Sequence, residues 1–270
     1  MPELPEVETV VRDLRPLLAG RTIRAVEVGV KNLRRPWQPA WSVTVIGQRI
    51  ASIQRRGKWI AIDLKSGAML LHLGMTGQLT VVAESLARQD HTHLIFKLSG
   101  KRELRFRDVR RFGSADWFAT LADLESFLAG KLGPEPFDLE PAAFRESIRT
   151  SVRCLKALLL DQSIVAGVGN IYADEACFRS KLRPDRKGRS LSNDDCDCLR
   201  EAIVAVLERA IAGRGSTIKD YIGGSGLMGT YQGEFAVYGR TGERCPVCQS
   251  AIAMVRLSGR SSHYCLNCQS

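Results

Sequence analysis

The sequence predicts an α+β chain of several domains: an N-terminal β-sandwich headed by a helix, a helical domain, and a C-terminal β-hairpin held by four cysteines. Three observations carry this. Residues 22 to about 118 break into short β runs punctuated by Gly and Ser, the texture of a sandwich or barrel. From about 142 to 212 the pattern turns helical. The chain's end carries Cys245-Pro-Val-Cys248 and Cys265-Leu-Asn-Cys268, with 16 residues between the pairs.

The elements follow in order. Val7, Val10, Val11, Leu14, Leu17 and Leu18 recur at helical spacing after Pro5, and Gly20 stops that helix. The β runs are 23–30, 49–55, 59–64, 69–73, 93–98 and 103–107. Three prolines fall between residues 133 and 141, which reads as a linker. The expected boundaries are therefore 1–132 for the sandwich, 133–141 for the linker, 142–235 for the helical domain and 236–270 for the cysteine module. A Gly-rich stretch, 223–233, has no periodicity and reads as a loop, either a closing lid or a plain linker. Cys196 and Cys198 lie two apart on a predicted helix, so their side chains diverge and form no metal site.

Four thiolates at this spacing are the pattern of two knuckles around one tetrahedral zinc. So small a module cannot bury much core and needs such a staple. Between the pairs, Ile252, Met254 and Arg256 alternate as in a hairpin strand, with Gly259-Arg260-Ser261 as the expected turn. A guanidinium at that turn is suited to gripping phosphate.

Lys and Arg outnumber Asp and Glu by 39 to 29, a formal net charge of +10. The excess favours a polyanionic partner, although a solvated basic surface has the same composition. No run approaches about 18 apolar residues, and the start of the chain lacks a signal-peptide pattern. With free thiols and zinc thiolates, the expectation is a cytoplasmic protein with no membrane span.

The N-terminus has its own chemistry. Methionine before a small residue is normally trimmed, which exposes the secondary amine of Pro2. An α-amino group titrates close enough to neutrality for part of it to be free base. Attack on an aldehyde carbon gives an iminium and acidifies the neighbouring C–H, with Glu3 beside it to move protons. Proline and an acid are equally the ordinary residues of a helix entry.

The whole string decides between them. Met-Pro-Glu-Leu-Pro-Glu-Val-Glu-Thr, residues 1 to 9, resembles the opening of the formamidopyrimidine-DNA glycosylases, bacterial enzymes that excise oxidised purines. The resemblance continues through Arg56-Gly-Lys58, Leu73-Gly-Met-Thr-Gly77, Asp108-Val-Arg-Arg-Phe-Gly113, Gly167-Val-Gly-Asn-Ile-Tyr-Ala-Asp-Glu175, Val237-Tyr-Gly-Arg240 and the cysteine module, in order and along the full chain. It implies a β-sandwich, a helical domain with a helix–two-turns–helix motif, and a zinc finger.

By that resemblance Pro2 is the nucleophile on the deoxyribose C1′, Glu3 the acid/base partner, and Lys58 a further catalytic group reaching the flanking phosphates. Asn170 and Arg260 complete the phosphate grip. Met75, Arg110 and Phe112 fill the void left by an extruded nucleotide, a task that flipping a base requires. Arg111 and His93 are further DNA-binding candidates, and Glu6 and Tyr231 line the base pocket. On their own residues, Lys58 reads equally as a surface lysine, Asn170 as a helix cap, Glu6 as a solvated carboxylate, and Met75 and Phe112 as core. Cys245, Cys248, Cys265 and Cys268 hold one structural zinc, with no organic cofactor. The partner implied is double-stranded DNA with damaged bases or abasic sites, bound by a nucleoid-associated monomer.

Two rivals remain at this point. An endonuclease VIII-like enzyme prefers oxidised pyrimidines, but Leu4 and Arg110-Arg111-Phe112 favour the purine enzyme. A DNA-binding zinc ribbon that has lost its chemistry is opposed by Pro2, Glu3 and Lys58. Val109 stands where proline is commoner in the family, so a looser Arg110 loop is expected, and His263 takes a position more often aromatic.

Overall fold

The protein is described by a computed structural model at residues 1–216 and 229–270. It divides into two compact units, residues 1–130 with those described from 214 to 230, and residues 131–213 with 231–270.

In the first unit, α1 (Leu4–Leu18) buries Val7, Val10, Val11, Leu14 and Leu18 on one stripe, as their spacing predicts. The chain then leaves through Gly20 at φ 81°, a conformation that glycine adopts without strain. There follow β1 (Ile23–Val28), α2 (Pro39–Val45), β2 (Ile50–Arg56), β3 (Trp59–Leu64), β4 (Ala68–His72), β5 (Gly77–Ala83), β6 (Thr92–Leu98), β7 (Arg102–Asp108), β8 (Ser114–Phe118) and α3 (Leu121–Ala129). They build two four-stranded antiparallel sheets, in the orders β1-β6-β7-β5 and β2-β3-β4-β8. Ile53, Ile62, Leu71, Phe96 and Phe106 join the stripe of α1 in one core. Each such side chain contributes about 1.5–3 kcal/mol on burial.

The sandwich expected from the sequence is present, with strands β5 and β8 and helices α2 and α3 added to it. Topology has a consequence for function. β4 pairs with β8 in one sheet, and β7 pairs with β5 in the other. The β4–β5 and β7–β8 connections therefore cross between the sheets side by side, although some thirty residues separate them in sequence.

The second unit contains a 3₁₀ turn (Pro136–Asp138), α4 (Pro141–Arg149), α5 (Leu155–Leu159), α6 (Asn170–Arg179), α7 (Asn193–Ala212), a 3₁₀ turn at Tyr231–Glu234, and the hairpin β9 (Ile252–Leu257) and β10 (Arg260–Cys265). Residues 133–141 are packed into this unit. The Gly133 amide donates to the Gln162 carbonyl at 2.8 Å, and a Cβ on Gly133 would lie 2.1 Å from the Ser163 carbonyl oxygen. Ser192 caps α7 by accepting from the Asp195 amide, while the Asp195 carboxylate accepts from the Ser192 amide. On α7, Cys196 is buried and Cys198 exposed, the divergence their spacing predicts.

The hairpin turn differs from expectation. Arg260 already pairs with Leu257, so the turn is Ser258-Gly259, both at positive φ (48° and 74°). A two-residue turn of this kind matches the twist of its strands, and it moves Arg260 into the first pair of the ladder. No helix among the described residues is long and apolar enough to cross a membrane.

Candidate active site and nucleic-acid interface

Pro2 and Glu3 enter α1 directly, and both are buried while Met1 is exposed. Glu6, one turn along, turns back so that its Oε2 accepts the Glu3 amide at 2.8 Å. Its Oε1 accepts the Ser216 amide at 2.7 Å and the Ser216 hydroxyl at 3.1 Å. Glu6 is thus no solvated helix carboxylate: at 2 % exposure it fixes the backbone of the residue after Pro2. Ser216 has no signal in the sequence.

Lys58 follows Gly57, which sits at φ 56° in the tight turn between β2 and β3. The lysine is 7 % exposed. His72 lies in the same electrostatic neighbourhood: burial, then the positive charges of Lys58, Arg34 and Arg35, push its pKa down to about 4. The ring is therefore neutral near pH 7, and its Nδ1 accepts the Gly74 amide at 3.0 Å. Lys58, Arg34 and Arg35 thus raise the positive potential around His72, with the Arg35 guanidinium in turn bonded to the Asp116 carboxylate.

The two side-by-side connections carry the three void-filling candidates. Met75 is 37 % exposed on one, and Phe112 is 46 % exposed on the other, with Arg110 and Arg111 exposed beside it. The Arg110 guanidinium lies 4.7 Å from the Phe112 ring centroid, a cation–π contact. Neither Met75 nor Phe112 is core. The loops touch at Gly74, where a Cβ would come within 2.5 Å of the Phe112–Gly113 backbone. Buried Asp108 holds the second loop by accepting the Arg110 amide at 3.2 Å and the Gly113 amide at 2.8 Å. These bonds span Val109 and tie both ends of the Arg110–Phe112 segment to one carboxylate.

In the second unit, Gly169 is the N-cap of α6, so Asn170 is not the cap. Its Oδ1 is buried with no hydrogen-bond partner among the described residues. The preceding turn is braced by Gln162, which donates to the Leu160 and Val168 carbonyls and accepts the Gly167 amide. Below it, fully buried Lys156 donates to the Asn170 carbonyl at 2.8 Å and to the Asp174 carboxylate. The other Asp174 oxygen meets both the amide and Nδ1 of His263 at 2.9 Å. One buried carboxylate therefore ties the N-terminus of α6 to the hairpin strand carrying Arg260. Glu175 next to it accepts the amides of Ala236, Val237 and Tyr238, although its burial pushes its pKa up.

The four cysteine sulfurs lie within 4.8 Å of one another. Cys245 and Cys268 Sγ are 3.8 Å apart, and Cys248 and Cys265 Sγ 3.4 Å. Zinc–sulfur bonds of about 2.3 Å in a tetrahedron place the sulfurs about 3.8 Å apart, so the residues fit one structural zinc. The Val247 amide points at Cys245 Sγ, 3.5 Å away, as in a metal knuckle. The Ser250 hydroxyl and amide pull the Cys248 thiol down to about 6, toward the thiolate a metal requires. Among the described residues, Val237, Cys245, Ile252 and Cys265 form the buried cluster here, with Phe178 and Cys268 against it, a small core for a module to hold without a staple.

Comparison with known proteins bears on the whole chain. Residues 1–115 match the formamidopyrimidine-DNA glycosylase N-terminal domain, 132–221 the H2TH domain of the same enzymes, and 242–270 a zinc finger found in FPG and IleRS. The formamidopyrimidine-DNA glycosylase of Listeria innocua is 40 % identical over 274 residues, covering all of both chains. The chain belongs to the formamidopyrimidine-DNA glycosylase family. A Lactococcus lactis FPG mutant in complex with Fapy-dG-containing DNA is 35 % identical, with a TM-score of 0.92 over all of both chains. The L. lactis enzyme with abasic-site DNA is 34 % identical, with a TM-score of 0.91 over 99 % of each. As a member of the formamidopyrimidine-DNA glycosylase family the chain is a DNA glycosylase and abasic-site lyase.

Within that formamidopyrimidine-DNA glycosylase frame, two sequence candidates sit in unexpected places. His93 is 6 % exposed, and its Nε2 meets the Asp108 carbonyl at 2.9 Å, so it braces the loop from behind. The exposed histidine of the pair is His91, at φ 66° and 6.5 Å ring to ring from His93. Tyr231 is buried in the second unit against Tyr172 and Phe235, and burial pushes its phenol up to about 12. Residues 223–228 of the expected lid lie outside the described residues.

Replacing Asp174 with asparagine leaves Lys156 charged and buried without its partner. Unfolding free energy is expected to fall by about 3–5 kcal/mol. Chemical denaturation checks this, and adding Lys156→Met should recover much of the loss. If the single variant keeps the wild-type midpoint, the pair is not a stabilising one.

Proposed function

We propose that this glycosylase removes oxidised purines, 8-oxoguanine opposite cytosine and ring-opened formamidopyrimidines, from double-stranded DNA through the Pro2 amine. The observation that carries the reading is the buried Pro2–Glu3 entry to α1, with the Glu3 amide fixed by Glu6. With Met1 trimmed, the Pro2 nitrogen attacks C1′ and the C1′–N bond to the base breaks. Glu3 protonates the ring oxygen as the sugar opens, leaving an iminium. Loss of a C2′ proton then expels the 3′ phosphate, and a second elimination expels the 5′ phosphate. Water finally frees the amine. The strand is left with phosphates on both sides of a one-nucleotide gap.

Lys58, Asn170 and Arg260 are assigned to the phosphates around the lesion, Arg110 to the orphaned cytosine, and Met75 and Phe112 to the space left in the stack. The enzyme is read as a monomer acting on the nucleoid, with domains 1–132, 142–235 and 236–270.

Borohydride trapping on a duplex with 8-oxoguanine opposite cytosine tests the chemistry. A stable adduct mapped to residue 2 by peptide mass spectrometry is expected. An adduct on a lysine would move the nucleophile. No adduct, with Met1 absent and abasic DNA also untrapped, would end the reading.

Salt tests the grip. Each phosphate neutralised contributes a slope of about −0.9 in log affinity against log salt. Arg260→Ala should make the slope shallower by about 1 and weaken all sequences alike. A slope identical to wild type removes Arg260 from the interface.

A further inference from the structure

We propose that Thr76 and Asp108 are positioning residues that fasten the two wedge-bearing loops into one rigid tool, so that Met75, Arg110 and Phe112 enter the DNA stack together. The inference rests on the void-filling assignment above and deepens it.

Each loop runs from one sheet to the other, and the strands that flank them pair at both ends, β4 with β8 and β5 with β7. It is therefore the segments between those ladders, Leu73–Thr76 and Val109–Gly113, that need a further fastening. Topology sets them side by side, and Gly74 presses on the Phe112–Gly113 backbone. Contact of this kind keeps the loops from interpenetrating, but it does not keep them from separating. The fastening is polar. The Thr76 hydroxyl, next in sequence to Met75, donates to Asp108 Oδ1 at 2.5 Å and accepts the Arg110 amide at 3.0 Å. The same Oδ1 accepts the Arg110 amide, and Oδ2 accepts that of Gly113, so one buried carboxylate and one buried hydroxyl bracket the Arg110–Phe112 segment. Arg111 within it sits at φ 57°, a left-handed conformation that a non-glycine residue holds only when its surroundings impose it. Behind, His93 holds the Asp108 carbonyl; in front, His72 holds the Gly74 amide.

Parting a base stack requires force applied at several points at once, because each unstacked step costs a few kcal/mol. Two independent loops would each yield before the stack did. A bracketed pair transmits the binding energy of one loop to the tip of the other. Thr76 touches none of the groups assigned to the chemistry, so its effect belongs to stack opening alone.

The test compares wild type, T76V, T76S, F112A and T76V/F112A. Single-turnover excision of 8-oxoguanine opposite cytosine is followed together with fluorescence of 2-aminopurine placed beside the lesion, which reports unstacking. Valine fills the same space without the hydroxyl. T76V should slow unstacking and excision about tenfold, the effect of losing about 1.4 kcal/mol of hydrogen bonding to a carboxylate. T76S should restore both to within about twofold. T76V should still cleave a preformed abasic site in single-stranded DNA at the wild-type rate, since no stack has to be opened there. With Phe112 already gone, T76V should add no further loss.

T76V that unstacks at the wild-type rate, while F112A does not, overturns the fastening and leaves the wedge in place. So do effects of T76V and F112A that multiply, and so does equal slowing of abasic cleavage. F112A that unstacks at the wild-type rate removes the void-filling reading itself, and this inference with it.

Discussion

Changing Pro2 to glycine is expected to lower base excision by at least roughly a hundredfold, the scale of a lost near-attack geometry. Glycine keeps an amine but loses the ring that holds the nitrogen at the buried start of α1, ahead of the fixed Glu3 amide. A sharper version is Pro2→Glu, whose bulk keeps Met1 in place. With the amine at residue 2 locked in a peptide bond, trapping should fall to background. Affinity for lesion duplex should stay within about threefold in Pro2→Gly, because the phosphate contacts lie elsewhere. Gel shift and single-turnover cleavage on the same preparation separate the two. Full excision by Pro2→Glu, with Met1 confirmed by mass, would refute the amine as nucleophile.

Removing zinc should have the second largest effect, and it should reach beyond the hairpin. Structural zinc in small modules contributes about 10–16 kcal/mol of apparent folding energy, far more than the small apolar cluster beneath this one supplies. Without it β9 and β10 part, Arg260 loses its place, and His263 leaves Asp174. Lys156 and Asp174 then remain as an opened ion pair at the N-terminus of α6. Lesion binding is expected to weaken by about 2 kcal/mol or more, as when a buried charge loses its partner. Hydrogen exchange should show the hairpin and the start of α6 unprotected and the sandwich strands unchanged. Chelated, zinc-free protein that binds as tightly as before would take both Arg260 and this coupling out of the account.

Much of this was legible from residues alone. The stripe of α1, the β runs and the cysteine spacing are local periodicities, and local periodicity survives folding. The strand at 77–83 escaped because it starts on a glycine directly after a loop, and the one at 114–118 because it is short. The hairpin turn moved by one position, since Ser258-Gly259 outcompetes Gly259-Arg260-Ser261 only once strand register is known. Lys156 and Ser216 gave no signal, and Asp108 and Asp174 stood inside the motifs without any sign of what their carboxylates hold. Charged residues are ordinarily surface residues, and nothing in a one-dimensional pattern says that Asp108 will be buried opposite Thr76, or Lys156 opposite Asp174. His93 is named as a DNA contact by the sequence reading, yet it is buried, with its Nε2 on the Asp108 carbonyl, because strand alternation alone does not say which face a residue takes.

The carboxylate of Glu6 has a consequence for how the protein is made. Its Oε1 is satisfied by Ser216, which belongs to the first unit although more than eighty residues of the second are translated in between. On the ribosome, synthesis proceeds at roughly 5–20 residues per second. For several seconds, therefore, a nascent sandwich carries its reactive end incomplete. The amine that will attack DNA acquires its finished setting only after the helical segment has emerged. A nascent or truncated chain ending near residue 130 would thus hold the nucleophile without the surroundings that make it an enzyme.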